Sequence, residues 1–436
     1  MTLFVVAVFV LVYVGMILGG LPFLKLDRTG VALLGAIALV ATGAVTEEEA
    51  RTAIHLPTLT LLFSFMVVSA QLRMGGFYDW VARRLGALRM GPPAFLGALI
   101  AVTAGLAAVF SNDIVCLAMA PVLADICLAR RLDPVPFLLA LACAANIGSA
   151  ATLIGNPQNI LIGETLNLSF AGYLAQAALP VGMGLTLAWG VVLALTRGRW
   201  QVPDGVSADP AVSNGRDSRI ETGQIGTGQI GIGQHPNQEP GRPLNRWQTV
   251  KGLAVAALLF GGFLLAPWPR DLMALAGAGV LMTSRRMHSR RMLGLVDWEL
   301  LVLFMGLFVV NHALQETGIP AQAVAALAAS GLDLHAPAPL FGASFLLSNV
   351  VSNVPAVMLL LPVATHPAGG TVLALSSTLA GNLLIVGSIA NIIVVQAAER
   401  RGIQIGWRHH ARVGVPVTLA SLAVAAASLG LGIGAV

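Results

Sequence analysis

Asp113 has the most chemistry to offer in this chain, because it stands in an apolar segment directly after Ser111 and Asn112. A carboxylate at membrane depth is expensive, and is read by default as part of a solute, ion or proton pathway. Helix ends and desolvation pull its proton affinity in opposite directions, which suits a group that must load and release a proton. The Ser-Asn step recurs at Ser352-Asn353, about 240 residues on. In both copies a proline, Pro121 or Pro362, follows ten residues after the serine. Val354 stands where Asp113 would be in the second copy, so charge coupling is expected from one copy alone.

Two amide-rich clusters follow the two Ser-Asn steps. The first holds Asn146, Ser149, Thr152, Asn156, Gln158 and Asn159; the second holds Thr378, Asn382, Ser388 and Asn391. Amides and hydroxyls both donate and accept hydrogen bonds. They suit a small hydroxylated or hydrated solute, or a sodium ion held by carbonyls. The expected solute site is therefore Ser111, Asn112, Asn146, Asn156, Asn159, Ser352, Asn353, Asn382, Ser388 and Asn391, with Asp113 as the proton-coupling group. Asn159 and Asn391 occupy equivalent places and equally suit a structural task. Ser348-Asn349 lies one turn before Ser352-Asn353 and competes with it as the second tip, although the matched proline spacing favours 352.

Other reactive side chains read as packing. Cys116, Cys127 and Cys143 fall in apolar stretches as small apolar residues, and Asp125 reads as a surface ion pair with Arg130 or Arg131. His312 is a candidate proton relay beside Asn311, set against an interfacial histidine with no transport role. No His/Glu metal spacing, Gly-rich phosphate loop or serine elbow appears, so neither an enzyme nor a bound cofactor or metal is expected.

The elements that hold these residues follow from composition. Only 10% of residues are charged and 56% are hydrophobic, with a mean hydropathy of +0.82. These values exclude a soluble chain of this length and imply an all-α polytopic membrane protein. The net charge of +5 signals topology, not nucleic-acid binding. Apolar spans fall at 3–22, 29–46, 57–76, 170–196, 248–266, 271–284, 297–317 and 412–434. Broken spans at 134–166 and 372–398 carry the amides. Segments 92–129 and 337–364, each with a Ser-Asn tip, read as re-entrant hairpins. Residues 77–90 and 319–332 read as interfacial helices. The total is about ten spans, two hairpins and two broken helices.

Matched blocks in the same order in both halves imply a duplicated unit. Phe65-Met66 is answered by Phe304-Met305, and Gly155-Asn156-Pro157-Gln158-Asn159-Ile160 by Gly387-Ser388-Ile389-Ala390-Asn391-Ile392. Polar interruptions at matching places point to a transporter's binding site. With both termini external, only Arg51 and Arg270 of the 25 Lys and Arg lie outside, which sets the orientation by positive charge. The hairpins then enter from opposite sides, so the repeats are inverted. The expected organisation is a first repeat at 1–198, a disordered Gly- and Pro-rich cytoplasmic linker at 199–247 and a second repeat at 248–436. The chain is expected in the cell (inner) membrane.

Ser111-Asn112-Asp113 through Pro121, Asn146-Ile147-Gly148 through Asn159, and Ser352-Asn353-Val354-Pro355 resemble the ion transporter superfamily of arsenite permeases (ArsB type), NhaD-type sodium/proton antiporters and dicarboxylate or anion permeases. The resemblance covers nearly the whole chain. It implies inverted repeats, two hairpins, a homodimer and elevator-like alternating access in a lipid bilayer. Dicarboxylate members carry Ser-Asn-Thr at both tips, whereas this chain has Asp113 and Val354. ArsB-like members carry an Asn-Asp pair at the first tip. The resemblance therefore implies proton-coupled export of arsenite or antimonite, with a sodium/proton antiporter or a sodium-coupled anion permease as the alternative. A soluble arsenite-stimulated ATPase remains an open partner.

Overall fold

Among the described residues, the computed structural model of the chain has twenty α-helices, two short 3-10 helices and one two-stranded turn (Gly20–Leu21 with Leu26–Asp27). The structure describes residues 1–21, 24–196, 198–201, 243–284 and 287–430. The expected linker lies mostly outside these residues, as do Arg285 and Arg286. Among the described residues, seven helices are long and apolar enough to cross a membrane: Leu56–Met74, Pro92–Val109, Asn112–Ala129, Phe170–Thr196, Arg246–Leu265, Trp298–Glu316 and Trp407–Ser428. Three expected spans are shorter helices: Thr2–Leu18, Arg28–Ala41 and Arg270–Met282, of 17, 14 and 13 residues. The last span starts at Trp407, earlier than hydropathy suggests, because its first turn carries Arg408, His409 and His410.

Prolines at the first helical turn explain where several helices begin. Pro92, Pro134, Pro157 and Pro337 each open a helix, where a missing N–H costs nothing. Asp133 and Asn156 cap the second and third of these by accepting from Val135 N and Asn159 N.

The chain reverses at two tips. Pro92–Val109 turns at Phe110-Ser111 into Asn112–Ala129, and the open ends meet again. Arg130 donates to Met90 O at 2.7 Å and lies 4.8 Å from the Phe95 ring centre. Pro337–Val351 turns at Ser352 into Asn353–Leu360, and there His335 Nδ1 meets Thr365 Oγ1 at 3.1 Å. Ser348 and Asn349 belong to the outgoing arm, so the second turn falls at 352. Ser111 and Ser352 sit at the cap positions, but neither side chain caps its helix. Ser352 instead holds a left-handed backbone, with φ of 79°.

Two ends of the molecule can be told apart by their contacts. One gathers Met90, Arg130, the Asp133–Trp200 backbone bond and the Asp125–Arg401 ion pair at 2.6 Å. The other gathers the Arg270–Glu164 ion pair at 3.0 Å, the Thr371–Gln176 bond and the His335–Thr365 contact. Phe170–Thr196 runs between them, about 40 Å at helical rise. Asp125 was expected to pair with Arg130 or Arg131. Its partner is Arg401 from the other half, because Arg130 is turned back onto Met90 and Phe95.

Candidate functional site

Two helices break at matching places, and the same side chain repairs each break. Pro134–Ser149 stops and Pro157–Thr165 resumes; Gly369–Ala380 stops and Ile389–Glu399 resumes. Asn159 Nδ2 donates to Ser149 O and Thr152 O at 3.4 and 3.0 Å. Asn391 Nδ2 donates to Gly381 O and Leu384 O at 2.8 and 3.0 Å. The residue pairs 149/381, 152/384 and 159/391 share one sequence offset. Carbonyls freed inside an apolar core must find donors, and one asparagine per half supplies two.

Asn146 ties the halves together. Its Nδ2 donates to Asn382 Oδ1 at 2.9 Å and Asn391 Oδ1 at 3.1 Å. Its Oδ1 accepts from Asn112 Nδ2 at 3.1 Å and Ser388 Oγ at 2.9 Å. A second cluster centres on Thr378, which accepts from Asn156 and Gln158 and donates to Asn159 Oδ1 at 3.2 Å. Asn156 also reaches Ser149 Oγ at 3.0 Å, and Thr152 donates to Ala108 O beside the first tip. Asn146, Asn159 and Asn391 therefore spend their amides on protein partners.

The tips keep capacity in reserve. Asn112 Oδ1, Asn353 Oδ1 and Asn382 Nδ2 are buried without a protein partner among the described residues, as are Ser348 Oγ and Asn349 Oδ1 one turn earlier. A buried polar atom without a partner costs about 1–3 kcal/mol, so each of these five has hydrogen-bonding capacity that the protein itself does not use. Asn112 N donates to Gly155 O at 3.3 Å, holding the first tip on the first break. Asn353 Nδ2 lies against Gly381 at the second break.

Asp113 crosses between the halves and lies close to the Ala390 N–H at the start of Ile389–Glu399. Ser111, Asp113, Asn156 and Ser352 line a cavity of about 370 Å³. It opens past Met16 and Pro355 toward Asp27, Arg28, Arg73, Asp297 and Glu299. A separate cavity of about 740 Å³ lies toward the opposite end, lined by His55, Asn311, His312, Gln315, Met358 and His366 among others. The helix Asn353–Leu360 reaches both cavities: Val354 and Pro355 line the first, and Met358, one turn further along, lines the second. His312 belongs to the second cavity and not to the tips. The three cysteines are free and buried, and none lines either cavity.

Three contacting residues are not legible as site elements from sequence. Tyr173 donates to Ala150 O at 2.7 Å and accepts from Asn159. His410 Nε2 lies 3.0 Å from Asn382 O. Tyr13 donates to Asn311 Oδ1 at 2.9 Å and sits 3.4 Å from Pro355 O at the cavity wall. For Tyr173 and His410 the available signal was a lone polar group near the start of an apolar helix, which also describes an ordinary interfacial residue; Tyr13 lies inside the apolar helix Thr2–Leu18.

Comparison with known proteins agrees with this architecture. A family described as citrate transporter (CitMHS) matches residues 8–374. The silicon efflux transporter LSI3 of Oryza sativa subsp. japonica is 31% identical, over 92% of each chain. The inner membrane protein YbiR of Escherichia coli K12 is 29% identical over 82% of this chain and 83% of its own. Among solved structures, the YdaH transporter of Alcanivorax borkumensis shares the fold, with a TM-score of 0.54 over 99% of this chain and 97% of that one, at 15% identity.

Proposed function

This chain belongs to the citrate transporter family of the ion transporter superfamily, and we propose that it exports small, uncharged, hydroxylated metalloid acids in exchange for protons. It is a multi-pass membrane protein and a secondary transporter, not an enzyme. Arsenous and antimonous acid are the cargo we assign. Silicic acid, suggested by the relative named for silicon efflux, has the same chemistry: neutral, compact and covered with hydroxyls.

One observation carries this reading. Asp113 faces the tip cavity at a helix N-terminus, beside Ser111, Asn156, Ser352 and apolar side chains, with the charged Asp27, Arg28, Arg73, Asp297 and Glu299 in the same lining. Neutral acids donate to the ionised carboxylate and to the side-chain oxygens of Asn112 and Asn353 with no charge penalty. Citrate or a dicarboxylate would meet Asp113 with a repulsion of ~4 kcal/mol per charge pair at 4 Å and effective dielectric 20. The carboxylates Asp27, Asp297 and Glu299 beside Arg28 and Arg73 along the cavity do not favour an anion either.

In the proposed cycle Ser111, Asn112, Asp113, Asn156, Ser352 and Asn353 hold the solute, while Asn146, Asn159, Asn382, Ser388 and Asn391 hold the tips and breaks. Solute binds ionised Asp113 from the cytoplasm, the two halves rearrange, and the solute leaves outward. A proton from outside then neutralises Asp113, the site returns, and the proton is released inside. The repeats are inverted on this reading, with hairpins entering from opposite faces, termini outside and the 199–247 linker inside. The cavity at the tips is then the cytoplasmic vestibule.

The test is Asp113→Asn in proteoliposomes. We expect solute counterflow to persist and accumulation driven by a pH gradient to fall to background. Accumulation at the wild-type level would make Asp113 structural and remove the coupling mechanism.

A further inference from the structure

His410 and Tyr173 occupy the same place in the two halves. Each is the fourth residue of the helix that follows its break, Trp407–Ser428 or Phe170–Thr196. Tyr173 donates to Ala150 O, and His410 Nε2 lies 3.0 Å from Asn382 O. Ala150 and Asn382 are related by the offset that relates the two asparagine staples. A ring nitrogen facing a carbonyl must carry the hydrogen, so His410 donates through Nε2. Both side chains are buried.

The surroundings are shaped for this contact. Gly414 lies one turn after His410, and a Cβ there would overlap the Asn382 carbonyl oxygen and come within 2.9 Å of His410 Nε2. Histidine and glycine thus form a notch that receives the second break. From Asn382 the hydrogen bonds run to Asn146 and on to Asn112 and Ser388. An imidazole at the start of the last helix is in this way tied, through three side chains, to the first tip.

We infer that His410 and Tyr173 are paired positioning residues, each clasping one break by the same carbonyl, and that the His410 clasp sets the solute affinity of the tips through Asn382 and Asn146. The affinity part rests on the transport reading above; the clasp does not. The measurement is hydrogen exchange on the full chain in lipid nanodiscs. His410→Leu should speed exchange about tenfold at 381–388, as expected for loss of one buried hydrogen bond, and leave 150–156 unchanged. Tyr173→Phe should do the reverse. His410→Gln, which keeps a donor, should stay within about twofold of wild type. Gly414→Ala should loosen 381–388 as His410→Leu does. Tyr173→Phe removes a single oxygen, so it keeps the test readable if His410→Leu fails to assemble. In proteoliposomes His410→Leu should raise the arsenite KM about tenfold, with kcat and the pH profile kept. Wild-type exchange at 381–388 in His410→Leu, or equal loosening of both segments, overturns the clasp. A changed kcat with unchanged KM overturns its link to affinity. If wild-type protein does not move arsenite, the transport reading falls while the exchange data still decide the clasp.

Discussion

In the proposed function, recognition of a neutral acid turns on Asn112 and Asn353, since each carries a buried oxygen without a protein partner among the described residues. Truncating either to alanine removes a donor and an acceptor from a closed tip, at about 1–3 kcal/mol for each buried group left unmatched. Asn112→Ala and Asn353→Ala are expected to abolish arsenite resistance in cells that depend on this protein. Removing the thiols together (Cys116→Ala, Cys127→Ala, Cys143→Ala) should leave resistance intact, because an exporter that formed several As–S bonds would release its cargo slowly. Loss of resistance in a folded cysteine-free protein would restore thiol coordination. At this scale the polar groups were legible, because polarity stands out in an apolar span. Their partners were not: nothing in the order of residues says that Asn146 meets Asn382 and Asn391, or that Asp125 meets Arg401.

The breaks are elements in their own right, and in each a single asparagine amide closes two open carbonyls. Asn159 and Asn391 satisfy carbonyls that the interrupted helices leave open. Asn159→Ala and Asn391→Ala should each lower stability by about 2 kcal/mol, seen as reduced melting temperatures of similar size in the purified protein. A wild-type melt for either variant would refute the shared staple. The positions of the breaks were readable from Asn and Gly inside apolar runs, and the turn at Ser352 from proline spacing. The lengths of Arg28–Ala41 and Arg270–Met282 were not. Hydropathy records where a run is apolar but not where its first and last turns lose their hydrogen bonds.

For the molecule as a whole, repetition was the most legible property, and the structure adds that the halves interlock. Asn146 of the first half and Asn382, Ser388 and Asn391 of the second form one network, and Asp113 lies close to Ala390. Such a shared centre suits one site exposed alternately to two sides. On the orientation proposed from the charge asymmetry of the loops, everted membrane vesicles present the tip cavity to the medium. The most direct measurement is solute uptake into everted vesicles that are acidified inside, comparing arsenite, antimonite, silicic acid, Na⁺, citrate and succinate. The account predicts accumulation of the neutral acids, collapsing when the pH gradient is dissipated, and none of citrate or succinate. Gradient-driven uptake of Na⁺ or citrate with no uptake of any neutral acid would contradict it.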